Sequence, residues 1–413
     1  MIRIDKYRLS NGLRLIHHLD KGTQMVALNL LYDVGSKDEH PDSTGFAHLF
    51  EHLMFGGSVN IPDFDTPLQR AGGENNAWTS NDITNYYSVV PRQNVETAFW
   101  LESDRMLGLD FSEKSLSVQK QVVIEEFKQR NLNQPYGDIP LLIRSLAYKV
   151  HPYRWPTIGK RVEHIEQAKL EDVKSFFYEH YAPNNAILAV TGNISFEETV
   201  RLTEKWFGPI EERTVKQRNL PEEPVQKSSR FQEVNRPVPL DLITKVYHMC
   251  RRTDADYHSF DLLSDILSNG RSSRLFQRLV MDRKLFADID ASITGDIDAG
   301  LFMIKGKVNK GVSLAVADRA IIDELQKLQE EKVSSYELQK VVNKIESNDQ
   351  FSNINYLNKA TNLAYYEMLG KAENIDNEID RYRGVTSCML RDVAEKAFVE
   401  KNSSTLYYHA SDN

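Results

Sequence analysis

The sequence predicts an α+β fold built in two halves, and three observations carry that prediction. Stretches rich in Val, Leu, Ile and Tyr alternate with helical stretches through most of the chain. A polar, proline-scattered stretch at 211–236 has no sustained periodicity and divides the chain near its middle. The second half echoes the first: the strand-like run at 240–249 matches 24–34, and the helical run at 259–270 matches 45–56. The expected division is an N-terminal domain at 1–215, a linker at 216–234 and a C-terminal domain of the same fold at 235–413.

The elements come in order. Residues 7–18 place the turn dipeptide Asn11-Gly12 between strand-like pieces. Residues 24–34 form a largely buried strand. Asp42, Ser43 and Thr44 offer capping side chains ahead of a helix that Gly56-Gly57 stops. A short helix is expected at 66–70, then two strands between Gly73 and Val90 with a turn at Ser80-Asn81-Asp82. Helices are expected next at 95–107, 112–131 and 136–149, then a loop at 151–159 punctuated by Pro152 and Pro156. A helix at 170–181, a strand at 185–193 and a helix at 195–207 close the first half. In the second half the pattern gives a short strand near 229–234, strands at 301–308 and 404–409, and helices at 313–331 and 335–350.

Composition narrows the function. Hydrophobic residues make up 41% of the 413 and charged residues 27%, as in soluble globular proteins. The net charge of −8 argues against nucleic acid or an anionic membrane as the main partner. No apolar run approaches the roughly 18 residues that a membrane span needs. The first residues, from Met1 to Tyr7, lack the apolar core of a signal peptide. Cys250 and Cys388 cannot build a disulfide framework. The expected compartment is the cytoplasm.

The chemistry centres on His48-Leu49-Phe50-Glu51-His52. Histidines four apart on a helix point the same way, one turn above the other, and both imidazoles reach one metal ion. Glu51 shares that face and is placed to take a proton from a metal-activated water, which is the general base of a zinc hydrolase. The order is the inverted His-x-x-Glu-His. Leu49, Phe50, Leu53, Met54 and Phe55 make this helix apolar nearly all round, so it should be buried. Buried histidines and a buried glutamate need partners, and a metal supplies them.

A third ligand is expected from the helix at 112–131. Glu126 shares a face with Val122 and Gln119, and a glutamate on an apolar stripe must be paired or ligating. Spacing leaves Glu125 as the alternative, though one step round it faces solvent or a basic neighbour. The pair of strands around Asn76 and Ala77 reads either as an ordinary hairpin or as a sheet edge facing the metal, where an extended peptide could pair by its main chain. Aligning Phe46 with Phe260 sets Leu262, Asp265 and Ile266 opposite His48, Glu51 and His52. A duplicated helix that lost its ligands fits that pattern.

The sequence resembles the inverted-motif zinc peptidases of the pitrilysin, insulin-degrading and mitochondrial-processing group, peptidase family M16. The resemblance is carried by Asn11-Gly12-Leu13-Arg14, Gly35-Ser36, His48 to His52, Gly73 to Tyr87, Val122 to Glu126, His151-Pro152-Tyr153 with Gly159, and Arg271 to Phe276. It implies two related halves, each an antiparallel sheet flanked by helices. It implies one zinc ion per chain on His48, His52 and Glu126, with Glu51 as general base and Asn76 and Ala77 on the substrate-pairing edge. The length is that of short members that work as two-chain assemblies. Gln119 stands where the family usually has a second glutamate. Val280 and Ala287 stand where active members carry a substrate-binding arginine and tyrosine. The expectation is therefore a zinc endopeptidase subunit that draws that pair from a homologous partner chain, with a homodimer as the other assembly. A non-catalytic assembly subunit that kept its zinc site is the alternative function.

Overall fold

The computed structural model describes residues 2–215 and 218–411. Residues 216 and 217, at the start of the expected linker, lie outside the described residues. The chain forms two compact units, neither continuous in sequence. The first comprises Met1–Gln129, Trp155–Leu220 and Asp349–Asn377; the second comprises Arg130–Arg154, Pro221–Asn348 and Glu378–Asn413. The units thus differ from a division at 215 and 235 in two segments, 130–154 and 349–377, each of which belongs with the other half of the sequence.

The first unit is built on six strands: β1 (Asp5–Arg8), β2 (Arg14–Leu19), β3 (Met25–Tyr32), β4 (Glu74–Thr79), β5 (Thr84–Pro91) and β6 (Ala186–Gly192). Their order is β1-β2-β6-β3-β5-β4, so β4 is an edge. Period-two alternation sends Leu15, Val26, Leu28 and Leu30 to one face, against Leu49, Phe50, Phe99 and Phe177 of the covering helices. Ile16, Ala27, Leu31, Ile187 and Ala189 go to the other face, which the Tyr356–Met368 helix covers with Ala360, Leu363 and Ala364. Both faces are covered, which is why residues 24–34 read as a continuous apolar run rather than an alternating one. Asn29 and Asn85 pair through both amides inside this sheet at 2.8 and 2.9 Å, and the Thr361 hydroxyl donates to Asn29 Oδ1 at 3.0 Å.

The second unit has five strands: β7 (Arg230–Arg236), β8 (Leu242–His248), β9 (Phe286–Ile293), β10 (Leu301–Val308) and β11 (Ser403–Ala410), in the order β7-β11-β8-β10-β9. One face packs on the Tyr257–Ser268, Leu314–Glu330 and Ser387–Ala397 helices. The other is covered by the Ile139–Ala147 helix through Ile139, Ile143 and Ala147. Strand for strand, this sheet repeats the order and direction of the first, minus an equivalent of β1. The duplication read from the sequence is therefore real at the level of topology.

Each sheet is mixed, not antiparallel throughout. β2 pairs parallel with β6, and β7 pairs parallel with β11. Only strands joined by tight turns are forced to run antiparallel; β6 and β11 arrive after long helical excursions, so a turn does not set their direction. Leu363 is fully buried on the back of the first sheet. Leu363→Ala should destabilise the first unit by about 2–5 kcal/mol, read by chemical unfolding of the full chain.

Candidate active site

The motif helix, Phe46–Leu53, is only eight residues long. A helix that short has little stability of its own and takes its position from its surroundings. Phe50 packs on Phe176 and Tyr181, with ring centroids 5.1 and 5.2 Å apart. At the N-terminus Gly45 has φ +93°, and a Cβ there would lie 2.8 Å from the Ile158 carbonyl oxygen. Gly159, at φ +98°, approaches the Thr44 carbonyl as closely, with a Cβ 2.9 Å away. Both contacts require glycine.

The capping expected from Asp42, Ser43 and Thr44 does not occur. Thr44 Oγ1 instead accepts the Lys160 amide at 2.9 Å and pairs with His164 Nδ1 at 2.8 Å. Glu39 caps the helix. Its Oε2 accepts the Gly45 amide at 2.9 Å and its Oε1 the Ala47 amide at 2.9 Å. The Trp155 indole Nε1–H donates to the same Oε2 at 3.0 Å. Burial pushes the Glu39 carboxyl up to about 8, with these three donors pulling the other way.

The motif helix faces the Glu113–Phe127 helix. His48 Nε2 lies 3.7 Å from Glu126 Oε1, and His52 Nε2 lies 3.4 Å from Glu126 Oε2. The two imidazoles meet edge to face, centroids 4.9 Å apart. Among the described residues this is the one group of three or more such side chains able to hold a metal ion, with donor atoms all within 4.8 Å of one another. Zinc–nitrogen and zinc–oxygen bonds of roughly 2.0–2.2 Å set tetrahedral ligand atoms roughly 3.3–3.6 Å apart. Two imidazoles and one carboxylate are ligand types that zinc takes, and the 3.4 and 3.7 Å separations from Glu126 lie near that range.

Glu126 reaches this position without the apolar stripe expected around it. Val122 is 44% exposed and Val118 47%. The helix is held instead through Leu116, Val123 and Phe127 on its buried face. Gly56, at the end of the motif helix, lets the two helices approach: a Cβ there would meet Ser115 Oγ at 2.8 Å, with Gln119 Nε2 at 3.7 Å. Glu125 turns away and pairs with Lys128 at 2.8 Å. A π-helical turn, Lys128–Leu132, comes directly after the helix.

Glu51 lies on the same helix, and its Oε2 accepts a hydrogen bond from Thr79 Oγ1 at 2.6 Å. Thr79 ends the edge strand β4. Period-two alternation puts Ala77 on the same face as Thr79, where Ala77 packs on the first core. Asn76 faces out, and its Oδ1 accepts the Ala77 amide at 2.8 Å. Beneath the site Tyr86 and Tyr181 are fully buried; burial raises both phenols, and the Glu51 charge adds to it. In the second unit, Val280 is half-buried against its core and Ala287 is exposed on the edge strand β9. Sequence reasoning missed Glu39, Thr79 and Trp155. Only Thr79 left a signal, its shared strand face with Ala77.

Comparison with known proteins identifies the family. Residues 15–160 match the domain described as "Insulinase (Peptidase family M16)", and residues 167–345 match the "Peptidase M16 inactive domain". The zinc protease PqqE of Helicobacter pylori is 29% identical over 97% of this chain and 91% of its own length. An uncharacterised zinc protease of Bacillus subtilis, YmxG, is 26% identical over 96% of both chains. The crystal structure of a protease from Helicobacter pylori superposes with a TM-score of 0.92 at 27% identity, covering 99% of this chain and 100% of that one. With two domains of one family matched in succession and the same fold over the whole length, this chain belongs to peptidase family M16.

Proposed function

We propose that this chain is the zinc-bearing subunit of an endopeptidase that cuts extended peptides or unfolded segments. The observation that carries this reading is the convergence of His48, His52 and Glu126 beside Glu51. His48, His52 and Glu126 would hold one zinc ion. Bound there, zinc supplies Lewis-acid polarisation of a peptide carbonyl and a lowered pKa for water. Glu51 takes the proton of the attacking water and returns it to the leaving amine. Thr79 holds one Glu51 oxygen and so orients the carboxylate. The open edge of β4, with Asn76 and Ala77, offers main-chain groups to an extended peptide, and the Asn76 side chain gives up the Ala77 amide as the peptide pairs.

The partner reading rests on Val280 and Ala287, which offer neither a guanidinium nor a phenol. Loss of one donor aimed at developing charge costs roughly 100- to 1,000-fold in rate. A homologous partner chain carrying the arginine and tyrosine would restore them; a homodimer would lack them twice. The same two residues favour a second reading, a non-catalytic assembly subunit that keeps its zinc. Cys250 and Cys388 are free, which suits the reducing cytoplasm. Among the described residues no helix is long and apolar enough to cross a membrane.

Metal analysis should find about one zinc per chain. His52→Ala and Glu126→Gln should lose it, whereas Glu125→Gln should keep it. Glu51→Gln should keep zinc and lose turnover, and full activity in that variant would remove Glu51 from the role of base.

Peptide cleavage by the purified chain, alone and with a homologous chain carrying the Arg/Tyr pair, separates the two functions. The endopeptidase reading expects a gain on mixing that Glu51→Gln abolishes. A gain that survives Glu51→Gln assigns catalysis to the partner and this chain to assembly. One sequence presented as a linear peptide and within a stable fold should be cut only in the linear form.

A further inference from the structure

The first turn of the motif helix has an unusual support. His48 is the third residue of that helix, and Gly45 and Ala47, the two residues whose amides Glu39 accepts, frame the turn that carries it. Glu39 is 5% exposed and Trp155 1% exposed. All three protons that reach the Glu39 oxygens come from N–H donors, so only a group with acceptors on both oxygens satisfies them. Trp155 Nε1 also donates to the Ser36 carbonyl at 3.0 Å, which ties the indole to the loop that carries Glu39. Lys160 lies over the Trp155 ring at 4.8 Å and donates to the Pro41 carbonyl at 2.9 Å, closing the same loop from the other side. These bonds do not involve the side chains of His48, His52 or Glu126; two hold the backbone at Gly45 and Ala47, and the others hold Trp155 and the loop that carries Glu39.

We infer that Glu39 and Trp155 are a positioning pair for the metal site, holding the first turn of the motif helix so that His48 stays in register with His52 and Glu126. The inference rests on the metal-site reading above. An eight-residue helix frays from its ends. Fraying of this first turn withdraws His48 while His52, in the last turn, stays in place. The site then holds metal by two ligands in place of three, and zinc escapes faster. Glu39→Gln keeps the size of the side chain but turns an NH2 group toward N–H donors, so at least one amide loses its acceptor. Trp155→Phe keeps an aromatic ring and removes the indole donor.

The test is the rate at which the zinc-loaded full chain gives up its metal to an excess of a chromogenic chelator. Supporting groups around metal sites typically change affinity by about 10- to 100-fold, and Glu39→Gln should release zinc faster by that order. Trp155→Phe should release it faster by a smaller factor, and it carries the test alone where Glu39→Gln does not fold. The control is Glu378→Gln in the second unit, which removes the negative charge from a buried cluster in which Glu378 Oε1 meets Arg252 at 2.6 Å and His258 at 3.0 Å. It should lower thermal stability and leave zinc release unchanged. Release at the wild-type rate from both Glu39→Gln and Trp155→Phe would overturn the inference, as would equal acceleration by Glu378→Gln, which marks general loosening. A wild-type chain that holds no zinc fails the metal-site reading itself, and that outcome is distinct from unchanged release in a chain that holds it.

Discussion

Three side chains from two helices must meet within a few ångströms, and one of those helices is eight residues long. That constraint organises much of the first unit. A short helix cannot fix its own register, so register comes from outside. The aromatic pile of Phe50, Phe176, Phe177 and Tyr181 sets its depth against the neighbouring helix. The glycine contacts of Gly45 and Gly159 let a loop close over its start, and Gly56 lets the Glu126 helix pass near its end. Glu39 satisfies the amides that this start would otherwise bury without partners. Packing, close approach and hydrogen bonding each remove one way in which His48, His52 and Glu126 could drift apart.

The legible parts of the chain were those whose signal is local. The motif helix, β3, the β4–β5 pair and the Val95–Leu107 helix are set by periodicity and turn residues close in sequence. His48, Glu51 and His52 are legible for the same reason, since their spacing is one helical turn. Glu126 was legible only by resemblance and by the weak preference over Glu125; the apolar stripe offered for it is not there, because Val122 faces out. The features that escaped were non-local. Glu39 and Trp155 are 116 positions apart and meet only in the folded chain. The Tyr356–Met368 helix shows a face of small residues, Ala360 and Ala364 beside Leu363, whose meaning appears only once the back of a sheet is there to receive it. The strand β9 has exposed and half-buried residues at irregular intervals and a register shift against β10, so its pattern gives no clean alternation.

The edge strand β4 joins two duties. Thr79 at its end holds the Glu51 carboxylate, and Asn76 and Ala77, a few residues earlier, lie along its open side. Under the proposed function, a peptide that pairs with this edge takes its register from the same backbone that holds Glu51 through Thr79. Under that reading the distance between Glu51 and the peptide is set within one six-residue strand, not through loops. The Asn76 side chain satisfies the Ala77 amide in the free chain, which also blunts an edge that would otherwise invite pairing with other strands.

The two units share strand order and direction but not the demand placed on the helix that comes after the central strand. In the first, that helix brings His48 and His52 together with Glu126, and His52 and Glu51 are partly exposed. In the second, the positions aligned with the two histidines are Leu262 and Ile266, at 0% and 1% exposure. The position aligned with Glu51 is Asp265, whose carboxyl accepts from Asn269 at 2.7 Å and is pushed up by burial. Once a ligand is gone, apolar packing is the stabler use of a buried position, because an unpaired imidazole there costs free energy that a leucine does not. Each unit also takes one covering helix from the other half of the sequence: Tyr356–Met368 for the first sheet and Ile139–Ala147 for the second. A division at residue 215 would uncover Ile16, Ala27, Leu31 and Ile187 on one sheet and Leu242, Val246 and Leu406 on the other. The duplicated halves are thus one folding problem, because each sheet buries its second face only with a helix drawn from the other half of the sequence.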